Sequence, residues 1–145
     1  MEKDFKVLVR DIKESETIKK FAEDMMNFIF TKSQENLIQN GSVDTGFLLR
    51  SGKPPKWEGN TLTLGYDAPY ARMIEYGTPP HPVSGKHFVA WVRRKLGITD
   101  PETARVAWAI ATKIKKEGTD PKPFLRPAIN DAIAKFGLKI KPIIE

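Results

Sequence analysis

Phe5, Val7 and Val9 alternate with Lys6, Leu8 and Arg10, the period-two signature of a short strand. The spacing then changes. Ile18, Phe21, Ala22, Met25 and Ile29 recur at three- and four-residue intervals, followed by Leu37 and Ile38. This pattern predicts a long helix that opens at Ser15 or Thr17 as N-cap and stops at Asn40-Gly41. Burying five or six such side chains contributes on the order of 10 kcal/mol before the entropy of ordering is subtracted. Period two returns where Leu62, Leu64 and Tyr66 alternate with Thr61, Thr63 and Gly65. Gly59-Asn60 lies between Lys56-Trp57-Glu58 and that run, at the place of a hairpin turn. Val43 to Arg50 fits a strand or a short helical turn, and the pattern leaves both open.

The second half reads as helices separated by glycine and proline. Pro69 favours a helical start for Tyr70 to Tyr76, closed by Gly77. Thr78-Pro79-Pro80-His81-Pro82 must be extended, because each proline disfavours helix in the residue before it. His87 to Leu96 predicts a helix with Phe88, Trp91, Val92 and Leu96 along one side, ending at Gly97. Asp100-Pro101-Glu102 predicts the next opening, with Asp100 as cap, proline first and an acid in the first turn. Ala104, Ala107, Trp108, Ala111 and Ile114 form its expected apolar face, and Lys113, Lys115 and Lys116 load its last turn before Gly118. A final helix is expected from Pro127, through Ala128, Ile129, Ala132, Ile133 and Phe136, to Gly137. The fold class implied is α+β: a small antiparallel sheet packed with a long N-terminal helix and further C-terminal helices.

Composition narrows the function classes. The 145 residues suit one domain, 1–145, within which the helical segment 79–121 reads as an elaboration. No apolar run approaches the roughly 18–20 residues of a membrane span, and Met1-Glu2-Lys3-Asp4 does not read as a secretory signal. With no cysteine, disulfides, thiolate metal sites and cysteine nucleophiles are excluded. A net charge of +6 invites a nucleic-acid reading, yet Lys and Arg are interleaved with Asp and Glu almost everywhere. Denser basic stretches occur only at Arg93-Arg94-Lys95, Lys113-Lys115-Lys116 and Lys135-Lys139-Lys141. These read first as solvated surface or as contacts with acidic partner proteins.

Candidate chemistry is sparse. Tyr66, Tyr70 and Tyr76 fit a half-buried rim better than a stacking platform. Asp67 and Glu75 have no nucleophile or oxyanion hole beside them in the sequence, and His81 and His87 lack further ligands for a metal. No phosphate-binding glycine loop and no nucleophile elbow is present. Catalytic, cofactor and metal residues are therefore expected to be none. Asp44-Thr45-Gly46 matches the triplet of aspartic proteases, in which two aspartates share a proton. Here, however, it follows a long amphipathic helix where those enzymes place an apolar strand.

Three blocks carry the strongest signal: Val43 to Ser51, Tyr70 to Thr78, and Pro123-Phe124-Leu125-Arg126-Pro127-Ala128. In this order, over about Phe21 to Phe136, they resemble the head–tail joining, or tail-completion, family of long-tailed bacteriophages. That family also includes the minor tail protein Z of phage lambda. The resemblance implies a virion structural protein of the neck that is assembled in the host cytoplasm. It implies a homo-oligomeric ring beside other neck and tail proteins, with genomic DNA passing through the lumen without sequence recognition. An isolated subunit that stays monomeric until a partner arrives is compatible with this.

The contact residues singled out are Arg50, Tyr70, Arg72, Glu75, Tyr76, Phe124 and Arg126. Arg50 is expected to reach a carboxylate, with Glu75 and Asp67 as candidates. Arg126 is expected on a carboxylate or a carbonyl cluster, within the chain or in a neighbouring subunit. The alternatives are a non-specific nucleic-acid-binding protein and, less favoured, a retroviral-type aspartic protease.

Overall fold

The computed structural model describes residues 5–41, 46–137 and 140–145 and has an α+β architecture. Its contacts divide into two compact units, one formed by Met1–Glu75 with Lys122–Glu145, the other by Tyr76–Pro121.

The first unit holds the sheet. Strands β1 (Phe5–Val9), β2 (Gly52–Glu58), β3 (Thr61–Tyr66) and β4 (Ile143–Ile144) lie in the order β2-β3-β1-β4, each neighbour antiparallel. Phe5 faces Tyr66, Val7 faces Leu64 and Val9 faces Leu62, so the alternating apolar positions of β1 and β3 share one buried face. The β2–β3 turn is Gly59-Asn60, with Gly59 at φ +64, which suits a two-residue hairpin with glycine first.

Neither edge of the sheet invites another strand. The β2 pairing slips between Lys53 and Lys56, where Pro54 and Pro55 have no N–H to give, and β4 is only two residues long.

Helix α1 (Glu16–Gln39) is capped by Ser15, whose Oγ accepts from the Ile18 N–H at 3.4 Å. It buries Ala22, Met25, Met26, Ile29, Ser33 and Leu37. Ile38, expected in that stripe, is 60% exposed: it sits about 100° round the helix from Leu37, on the solvent side. Along α1 packs α6 (Leu125–Phe136), with the Phe136 ring edge-on to Phe21 and Phe28 at 5.7 Å.

Of the Val43–Arg50 segment, residues 42–45 lie outside the described residues, among them Val43, Asp44 and Thr45. Phe47–Arg50 form one helical turn, α2, after Gly46 at φ +83. Helix α3 (Ala71–Tyr76) follows the second hairpin strand as expected.

Tyr66 is the polar centre of this core. Its fully buried hydroxyl lies 2.6 Å from Ser33 Oγ and accepts from Gln34 Nε2 at 2.7 Å. Burial pushes the phenol's pKa up, and these two hydrogen bonds only partly offset the shift.

The second unit is helical. Gly77, at φ +72, closes α3, and a Cβ there would come within 2.5 Å of the Thr119 carbonyl oxygen and 2.8 Å of the Pro121 nitrogen. This close approach lets Thr78 and Thr119 exchange backbone hydrogen bonds at 3.0 Å in both directions.

The segment expected as one helix over His87 to Leu96 is three short pieces: a 3-10 turn (Gly85–Phe88), a single α turn α4 (Val89–Trp91) and a π turn (Val92–Leu96). Val92 is buried there, whereas Leu96 is exposed. The wider π turn rotates later residues out of an α-helical stripe.

Helix α5 runs Glu102–Glu117 and buries Thr103, Ala107 and Ala111, while Trp108 faces outward. Asp100 is not its cap. Arg93 Nη2 holds both Asp100 carboxylate oxygens, at 3.1 and 3.0 Å, and that pairing keeps the carboxyl below its usual pKa.

Tyr66→Phe removes one partner each from Ser33 and Gln34, which keep bonds to the Phe30 and Leu49 carbonyls. In urea unfolding at neutral pH the variant is expected to be about 1–2 kcal/mol less stable. The folded-state pKa of Tyr66 is raised, so the wild type keeps its advantage below about pH 10 and loses it as pH rises through the folded value. A gap between the two proteins that stays constant up to pH ~11 would contradict this.

Candidate functional site

Helix α6 begins without a capping side chain of its own, since its N-cap position is Phe124. Its first N–H groups therefore need an acceptor from elsewhere in the chain. Glu75, the fifth residue of α3 and 0% exposed, supplies it.

Glu75 Oε1 accepts from the backbone N–H groups of Phe124 at 2.8 Å and Leu125 at 2.7 Å. Oε2 accepts from the Arg126 N–H at 3.0 Å and from Arg126 Nε at 2.8 Å. Pro127, next in line, has no N–H. One carboxylate thus serves the whole opening of the helix, and its charge is favourable at the positive end of the helix dipole. Arg126 Nη2 also donates to the Glu75 backbone oxygen at 2.7 Å, so the guanidinium grips both the side chain and the main chain of the same residue.

This geometry explains why α6 starts at Leu125, two residues before the proline expected to open it. A remote acceptor lets the helix begin ahead of any local start signal, and Pro127 is still tolerated inside the first turn.

The approach to α6 is held as firmly. Lys122 N–H donates to the Ile74 carbonyl at 2.8 Å. From the end of α1, Asn36 Nδ2 donates to the Phe124 oxygen at 3.0 Å and Asn40 Nδ2 to the Pro123 oxygen at 2.8 Å. Asn40 itself has φ −72, and Gly41, at φ +69, takes the left-handed position. The Phe124 ring lies edge-on to Tyr66 at 5.1 Å and to Phe5 at 6.2 Å.

The seven expected contact residues separate into two groups. Glu75 and Phe124 are interior residues, each 0% exposed, and cannot touch a partner; their work is to join α3 to α6. The Arg126 side chain is 45% exposed beyond its bonds to Glu75, which resolves its carboxylate partner as intramolecular. Arg50 lies over Gly46, where an added Cβ would meet its Nη1 at 2.6 Å. The carboxylates considered for Arg50 have other cations: Glu75 is held by Arg126, and Asp67 meets Lys53 Nζ at 2.8 Å. Arg72 donates to the Glu145 backbone oxygen at 2.6 Å and stacks 4.7 Å over the Phe5 ring. Half-buried Tyr70 packs edge-on to Phe47 at 6.1 Å, and Tyr76 is exposed at the end of α3.

Sequence reasoning passed over Phe47 and Met73, both exposed apolar residues. Met73 lies one turn on from Tyr70, at i+3, so the pattern of α3 contained that signal. Phe47 carried none, because its neighbours in space come from a separate segment.

Among the described residues no group of three or more His, Cys, Asp or Glu is arranged to hold a metal ion. No described helix is long and apolar enough to cross a membrane. Protein-family models, curated proteins and solved structures were each compared with the chain, and none gives a match.

Glu75→Ala leaves three backbone N–H groups and a guanidinium without their acceptor in a buried place. Its expected cost is about 3–5 kcal/mol in urea unfolding. Arg126→Ala, at a half-exposed site with the backbone bonds to Glu75 intact, is expected to cost less than half of that. Equal losses for the two variants would show that the ion pair, and not the helix opening, is what Glu75 serves.

Proposed function

We propose that this protein is a structural component of the virion neck of a long-tailed bacteriophage or prophage. In this reading it completes or joins the tail at the head–tail interface as a homo-oligomeric ring, beside other neck and tail proteins. The genome passes through the lumen of that ring unread.

One observation carries the reading. The blocks Tyr70 to Thr78 and Pro123 to Ala128, which bear the family resemblance together with the first, meet at Glu75. Residues that look like unrelated sequence signals thereby serve one purpose, a rigid platform made by locking α3 to the opening of α6. A platform of this kind is suited to assembly, because subunit contacts require surfaces fixed before the partner arrives.

The material around the platform fits that use. Arg72 and part of Arg126 face outward, as do Phe47 and Met73, and arginine, aromatics and methionine are favoured at protein interfaces. Both sheet edges are blunted, so subunits of a ring would meet through side chains and not by strand addition. Ring closure requires a heterologous contact repeated by rotation, with roughly 800 Å² buried on each partner.

The decisive experiment pairs mass spectrometry of purified particles with a mutant phage lacking this gene. The polypeptide is expected in the virion, and the mutant is expected to make heads and tails that are not productively joined. Intact, infectious particles devoid of the polypeptide would overturn the proposal.

A further inference from the structure

Charge is unevenly shared between the two units. Tyr76–Pro121 holds eight Lys and Arg against four Asp and Glu, so it carries a net +4 of the chain's +6. Two of its arginines are matched locally, Arg93 by Asp100 and Arg105 by Glu102. Lys86, Lys113, Lys115 and Lys116 are exposed and make no ion pair among the described residues. The last three sit at the end of α5, where the helix dipole attracts cations. That dipole is equivalent to only about half a charge, so three lysines exceed what it needs.

An aromatic residue lies among them. Trp108 is 52% exposed although it projects from the middle of an amphipathic helix. Its ring is seated against Gly85, where an added Cβ would come within 2.4 Å of the ring carbons Cδ2 and Cε3. Any side chain at position 85 would have to displace the indole from this seat. Lys86 follows Gly85 directly. Thr112 and Lys115 lie one and two turns beyond Trp108 on the same flank of α5. An indole seated on Gly85, half open to solvent, with Lys86 next in the chain and Lys115 two turns along α5, is a costly way to fill a helix surface if nothing binds there.

We infer that this face of the Tyr76–Pro121 unit, formed by Trp108 with Lys86, Lys115 and Lys116, binds the phosphodiester backbone of nucleic acid without reading its sequence. Lysine is a compact point charge with no planar fork to match a base edge, so it contributes attraction and no base discrimination. Trp108 adds a stacking surface that only an unpaired base can use. The inference supplies a contact for the DNA of the neck reading. Its test uses the purified chain, so either can fail without the other.

Binding is measured by titrating labelled nucleic acid with the full chain between about 50 and 200 mM salt. The probes are two unrelated duplexes of equal length and one single strand. The two duplexes are expected to bind equally, with log K falling against log salt at a slope of about −2 to −3, near −0.9 for each of three lysines. The triple variant Lys86→Gln, Lys115→Gln, Lys116→Gln is expected to bring that slope about 2.7 closer to zero. A control with the same change of charge in the other unit, Lys13→Gln, Lys56→Gln, Lys141→Gln, is expected to keep the wild-type slope. Trp108→Ala is expected to weaken single-strand binding about 10-fold and leave duplex binding within about twofold.

Failure of the wild type to bind at the lowest salt would overturn the inference. So would a tenfold preference between the duplexes, or a control that loses as much slope as the Lys86, Lys115, Lys116 variant. Equal effects of Trp108→Ala on both forms, or none on either, would remove the indole from the site.

Discussion

A helix that begins with Phe-Leu-Arg-Pro has no side chain of its own to receive its first N–H groups, and in this protein a buried glutamate from another helix receives them. Glu75 accepts from Phe124, Leu125 and Arg126, and the fourth group that would need an acceptor is absent because residue 127 is proline. The carboxylate is in turn held by Arg126, whose own backbone N–H it accepts. The arrangement tolerates burial because every oxygen is used and the local charge is matched by a guanidinium and a helix dipole. Remove it, and the start of α6, the seat of Phe124 between Phe5 and Tyr66, and the anchoring of the segment before α6 by Asn36 and Asn40 all lose their reference point.

From that lock follows a division of labour within the blocks Tyr70 to Thr78 and Pro123 to Ala128. Their interior members, Glu75 and Phe124, set geometry, while their half-exposed members, Tyr70, Arg72 and Arg126, stand on the geometry so fixed. Contacts between protein subunits are economical when the surface is already ordered, since little rotamer and loop entropy remains to be lost. The other unit is built differently, from short helical pieces with a π turn, and carries a net positive charge, with lysines at the end of α5 that make no ion pair among the described residues.

Much of the fold was legible before any coordinates. The period-two runs became β1 and β3, Gly59-Asn60 became the hairpin turn, Ser15 became the cap of α1, and Gly77 ended α3. Each of these signals is local: the residues that decide it lie within a few positions of one another. The misses share the opposite character. Asp100 has every local mark of a cap but is taken by Arg93, seven residues away. Ile38 and Trp108 sit at apolar-stripe spacing but face solvent, because the width of a buried face is set by what packs on it. Helix α6 starts at Leu125 for want of any local rule that could anticipate Glu75.

The sequence by itself determined the α+β class, the amphipathic helices, the hairpin turn at Gly59-Asn60, and the excess of positive charge, since each rests on periodicity, backbone chemistry or composition. The partner of Arg126, the interior place of Phe124, the single outward-facing indole on Gly85 and the joining of α3 to α6 were decided by tertiary structure alone. These depend on which groups separated by tens of residues come within hydrogen-bonding or van der Waals distance. A carboxylate in a sequence does not show whose N–H groups will be left without an acceptor when the chain closes on itself.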